Sequence, residues 1–222
     1  AAAGITNDLK LIFLISAAAF IIGLLFTIKL PNPVQEKELK PGTTRQIISK
    51  NKFLFLSLLL RHIGAAAVWV ILPIMIMEKW GGDLYHISVV YVANTLTAFI
   101  LMNVMASKIH LSNITKFKIG IGATTFVFVG LAFVTDWWMA MPFMSLVGAT
   151  WAFLFIGGNF HLMENNPRST STGIFSSTLS IATVIGPVIG GTIAFLFDYV
   201  AVLYFAVVII VCAFIVSLKI KK

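Results

Sequence analysis

Seven stretches of nearly unbroken apolar residues organise the chain: Leu9 to Ile28, Phe53 to Met77, His86 to Ala106, Ile119 to Thr135, Trp137 to Met163, Gly173 to Phe195 and Tyr199 to Leu218. Each approaches the ~20 residues that a helix needs to cross the hydrocarbon of a bilayer. In lipid, open strands would leave backbone N–H and C=O groups unpaired, so all seven are predicted to be helices. Composition agrees: 59% of the 222 residues are hydrophobic, 11% are charged and the mean hydropathy is +0.99, which excludes a soluble globular domain. The expected fold class is an all-α membrane protein.

The sixth stretch has a second pattern. Thr178, Ala182, Gly186, Gly190 and Ala194 recur every fourth residue, so on a helix they form one thin stripe along which another backbone can come close. Pro187 is read as sitting inside that stripe, where a helix in lipid tolerates it only if the freed carbonyl finds another partner.

Charge then orients the segments. Lys29, Lys37, Lys40, Arg45, Lys50 and Lys52 fill the first gap, Lys108, Lys116 and Lys118 the third and Arg168 the fifth, with Lys219, Lys221 and Lys222 after the last span. The other connections hold only Lys10 and Lys79 beside Asp8, Glu78, Asp83, Asp136 and Asp198. The positive-inside rule puts the N-terminus outside and the C-terminus in the cytoplasm of a cell-membrane, multi-pass protein. The net charge of +8 is thus a topology signal, and no basic face with interleaved aromatics points to nucleic acid.

Residues 31–52, PNPVQEKELKPGTTRQIISKNK, hold three prolines and a glycine and read as a cytoplasmic linker or surface helix. They divide residues 1–30, one preceding span, from residues 53–222, a six-helix block. Shifting the first span by 190 positions lays Asp8 on Asp198, Thr27 on Ser217 and Lys29 on Lys219. Both spans would then end a six-helix unit, and the first would be the last helix of a missing N-terminal half. The chain begins with Ala, which agrees with a fragment or a processed chain.

Polar residues within the spans gather on four of them. The second has Arg61 and His62; the third Asn94, Thr95, Thr97 and Asn103; the fifth Ser145, Thr150, Asn159 and His161; the sixth Ser176, Ser177, Thr178, Ser180 and Thr183. Such groups are costly in lipid and face a bundle interior or a watery cavity. Members 1, 2, 4 and 5 of the block are expected to line a pathway, and members 3 and 6 to face lipid.

This distribution, the repeat and the Gly-Pro helix resemble the C-terminal half of a major facilitator superfamily transporter: helix 6, the central loop and helices 7 to 12. Gly173, Ala182, Gly186, Pro187, Gly190 and Gly191 are similar to the glycine-proline packing motif of the family's antiporters, with Ala182 where a glycine is usual. That motif belongs to helix 5, whereas here it falls in helix 11, so drug antiport does not transfer. Glu164 to Gly173, ENNPRSTSTG, is similar to the family's link before helix 11. Asn103 to Lys118 keeps only basic character where a loop motif with Gly, Asp and Arg recurs in the family. The resemblance implies transport of a small solute by alternating access, with drug or metabolite efflux within its range. It also implies a bilayer, a missing six-helix half and protons as partners.

Arg61, ~12 Å along its span from Phe53, either grips an anionic or polar substrate or snorkels back to the interface. His62 and His161 are the spans' groups that titrate near neutrality, and each is otherwise a hydrogen-bonded packing residue. No Asp or Glu lies deep in a span, so a proton-carrying carboxylate is expected in the missing half. Trp69, Asn94, Trp151 and Asn159 are candidates for the directed contacts of a mostly apolar site, with packing as the alternative. His161 and Glu164 share a helix face but find no second such pair, so no metal is expected. The lone Cys212 forms no internal disulfide, and no cofactor motif occurs. Seven spans with the N-terminus outside also fit a seven-helix receptor or photoreceptor, although the last span lacks the Lys that a retinal needs. With no intramembrane Asp, Gly-x-Ser-x-Gly or HExxH, an enzyme is not expected.

Overall fold

The computed structural model describes residues 9–28, 44–164 and 166–220, the side chains of 9–13 and 105–107 excepted. It forms two compact units, residues 1–38 and 39–222. The first contains α1 (Leu9–Ile28), in which the Thr27 hydroxyl bonds back to the Gly23 and Leu24 carbonyls at 2.9 and 2.8 Å. A polar group inside an apolar helix is thereby satisfied without a partner helix.

The second unit contains α2 (Thr44–Lys50), α3 (Lys52–Glu78), α4 (Leu84–Ser107), α5 (Asn113–Leu131), α6 (Trp137–Met163), α7 (Arg168–Leu196) and α8 (Tyr199–Leu218). The six from α3 to α8 are long and apolar enough to cross a membrane. Three spans, Leu9–Ile28, Trp137–Met163 and Tyr199–Leu218, begin and end where hydropathy put them. Two do not. α5 starts six residues before Ile119 because Ser112 caps it, accepting from the Thr115 N–H at 3.3 Å, and it stops at Leu131. α7 starts at Arg168, since Pro167 sets its entry and the polar run RSTST builds its first turns. Of the expected linker, residues 44–52, with α2, lie among the described residues.

The helices pack by a symmetric rule. α3 lies on α7 and α8, α6 lies on α4 and α5, and α5 and α8 lie on each other. Exchanging α3–α5 for α6–α8 leaves that scheme unchanged, so the unit is two three-helix repeats with swapped second members. Because three is odd, the repeats run in opposite senses through the layer. The prolines do not follow the exchange: Pro73 is five residues before the end of α3, whereas Pro142 is five residues after the start of α6.

Glycines set the closest approaches. A Cβ on Gly190 would stand 2.5 Å from the Ala67 carbonyl oxygen of α3, and one on Gly148 would collide with the Asn94 carbonyl of α4. Ala182 and Gly186 share the α3 seam with Gly190, and all three are buried. Gly173 and Gly191, taken from the sequence as packing residues, have open space where a Cβ would point, and Pro187 is half-buried. They lie off the buried face of α7.

The acidic connections share one end. There Tyr199 donates to Glu78 at 3.0 Å, and the Trp137 N–H reaches the Trp80 carbonyl at 3.0 Å. Asp83 caps α4 by accepting from the His86 N–H at 3.0 Å, while the His86 ring stacks 4.0 Å from Trp137. That backbone bond holds the Asp83 carboxyl below the usual carboxylate range. A depressed carboxylate stabilises above its unfolded pKa and loses the effect as pH falls through the folded one. The stability gap between wild type and Asp83→Ala should therefore be full above about pH 4 and shrink below it. Thermal unfolding in detergent across that range checks this, and a gap indifferent to pH would refute the cap's role.

Candidate functional site

Five of the six residues proposed to touch a ligand meet at one place. Arg61, His62 and Trp69 of α3, Asn94 of α4 and Trp151 of α6, joined by Val147, line a cavity of about 210 Å³. Arg61 lies nine residues into α3, roughly 13 Å from its start, and Asn94 and Trp151 are also near the middle of their helices. The cavity is therefore at mid-layer. It is bounded by the two hub helices, and Gly148 brings α4 close enough for Asn94 to reach it.

Arg61 is 2% exposed, which excludes snorkelling within this unit. Its Nη2 donates to Thr124 Oγ1 on α5 at 3.3 Å, and that hydroxyl donates onward to the Gly120 carbonyl at 2.7 Å. The guanidinium sits 5.6 Å from the Trp151 ring centre. Its Nε has no hydrogen-bond partner, nor does the buried Nδ1 of His62, whose ring lies 5.5 Å from the same Trp151. Among the described residues, α3 to α8 hold no carboxylate between their ends, so this cation is held by neutral groups alone.

Trp69 is fixed by a consequence of Pro73. A proline supplies no N–H to the carbonyl four residues back, which here belongs to Trp69. Tyr91 of α4 donates its hydroxyl to that carbonyl at 3.3 Å, and the two rings stand 5.9 Å apart. Tyr91→Phe should leave the carbonyl unpaired, lower stability by about 1–3 kcal/mol and shift the Trp69 emission. Unaltered unfolding and emission would show that the bond is dispensable.

The other expectations fare differently. Asn159 is buried in α6 but away from the cavity, donating to the Phe155 carbonyl at 3.1 Å with its Oδ1 unpartnered. His161 lies 3.5 Å from Glu164, which accepts from Asn113 at 2.7 Å and so ties α6 to α5. Ser177, Thr178 and Thr183 do not reach the cavity, since their hydroxyls bond to the carbonyls of Gly173, Ile174 and Ser180 on their own helix. Nor do α5 and α8 serve only as a lipid-facing shell. Half of the apolar window of α5 is buried and 33% of that of α8, against 11% for α4 and 17% for α7. Counting polar residues per span misled here because a helical hydroxyl satisfies itself locally. Sequence reasoning overlooked Thr124, Val147 and Tyr91. Only Tyr91 had a signal, the need of Pro73 for a donor from a neighbouring helix.

These observations define the class: among the described residues the chain is helical, with six helices of membrane-spanning length and apolarity and a cationic cavity at mid-layer. Compared with models of known families and with curated proteins, the chain matches none.

Proposed function

We propose that this chain is the C-terminal half of a secondary carrier of major facilitator type, moving a small solute across the cell membrane by alternating access. The observation that carries this reading is the convergence of Arg61, His62, Trp69, Asn94 and Trp151 on one mid-layer cavity. A receptor or a structural bundle has no need of an unpaired cation at that depth, whereas a carrier places its binding site there. The paired three-helix repeats support it, because inverted repeats give one scaffold two equivalent ways to tilt about a central site.

A second six-helix bundle completes the carrier, with α1 as that bundle's last helix and residues 31–52 as the cytoplasmic connection. α4 and α7 are the faces it covers. They are the least buried of the six, and one side of α7 presents Ser176, Ser180, Thr183 and the open Gly173 and Gly191. Small and hydroxylated residues allow a sliding contact there, while Val184, Val188 and Phe195 turn to lipid. Where protons drive the movement, the titrating carboxylate belongs to the second bundle.

The test is solute uptake by proteoliposomes. Both halves together should give saturable flux that Arg61→Ala reduces at least tenfold without loss of protein. Saturable flux by this chain alone, or unchanged kinetics in the variant, would reject the proposal.

A further inference from the structure

We infer that the cavity takes a small organic monoanion, a carboxylate on a flat apolar body, whose charge is the counterion that Arg61 lacks. Such an anion is the substrate class of the carrier proposed above, a step that rests on that proposal, whereas its binding at Arg61 does not.

The chemistry follows from what surrounds the guanidinium. A buried cation without a counter-charge is expensive, and its partners here are one neutral hydroxyl and one aromatic face. Its Nε is buried and unpartnered, as is the Nδ1 of His62, and both residues line the cavity. An arginine fork that has spent one Nη2 bond on Thr124 still has donors to give a carboxylate. One positive charge also sets the valence. A monoanion brings the site to neutrality, whereas a doubly charged phosphate would leave a buried negative charge with no other cation at the cavity to meet it. The remaining wall gives the shape. Trp69, Trp151 and Val147 offer apolar surface, and the amide of Asn94, which also lines the cavity, can bond one polar substituent. An extended peptide or a large amphiphile does not fit about 210 Å³.

Benzoate is the probe, with benzamide and benzylamine as neutral and cationic partners of nearly equal shape and inorganic phosphate as a second anion. The purified chain in lipid nanodiscs is titrated with each at constant ionic strength, with tryptophan emission as the readout because two cavity walls are indoles. Benzoate should give a saturable change, weakened at least tenfold by Arg61→Gln and several-fold by Arg61→Lys, which keeps the charge but loses the fork. Benzamide, benzylamine and phosphate should bind at least tenfold more weakly than benzoate. The assignment is overturned by equal binding of benzamide or benzylamine, by tighter phosphate, by benzoate binding indifferent to Arg61, or by no saturable benzoate response. Should Arg61→Gln fail to fold, Arg61→Lys and the benzoate-to-benzamide ratio in wild type carry the same decision. If benzoate binds as expected and the two-bundle protein moves no solute, the carrier reading falls and the anion site stands. If solute moves and benzamide equals benzoate, the reverse holds.

Discussion

Gly190→Ala is expected to destabilise the helical unit by about 1–3 kcal/mol, whereas Gly191→Ala, one residue on, should leave it unchanged or up to about 1 kcal/mol more stable. The two glycines are adjacent on one helix and differ in what a methyl would meet. At Gly190 it stands 2.5 Å from the Ala67 carbonyl oxygen and 2.8 Å from the Ala67 Cα, backbone atoms that move only if α3 and α7 part. At Gly191 it meets nothing within 4 Å, so only the better helix propensity of alanine remains. Gly148→Ala should be as harmful as Gly190→Ala and should also impair ligand binding. Its methyl would press on the Asn94 and Ala98 backbone and push Asn94 away from the cavity. Thermal unfolding of the three variants in detergent decides the matter. Equal midpoints for Gly190→Ala and Gly191→Ala would mean that helix separation is not set by these contacts.

Arg61→Met should abolish transport and, in the same protein, raise thermal stability. Methionine fills a similar volume and removes a charge that is 2% exposed, with Thr124 as a neutral hydrogen-bond partner and Trp151 as a ring contact. Replacing buried charged groups by apolar side chains of like size is often stabilising by about 1–4 kcal/mol. The stacking on Trp151 is worth roughly 2 kcal/mol when desolvated and offsets part of that gain, so the lower half of the range is expected. A residue that costs stability and is needed for activity serves a function and not the fold. A fall in stability would instead make Arg61 a structural prop that joins α3 to α5, and the cavity would lose its central claim.

The sequence by itself determined that the chain is helical and apolar on the scale of a bilayer, because spanning length and backbone pairing in lipid leave no other regular choice. It fixed three helices to the residue and supplied five of the cavity's six lining positions, since an arginine and mid-span tryptophans are conspicuous where leucine is the rule. Tertiary structure alone decided which polar residues meet. The hydroxyls of Ser177, Thr178 and Thr183 are spent on carbonyls of α7, the Asn159 amide N–H on that of Phe155, and the Thr124 that holds Arg61 comes from a helix expected to face lipid. It also decided that Gly190 touches a neighbour and Gly191 does not. Side-chain direction on a helix turns by about 100° per residue, and only the position of the next helix says which direction is occupied.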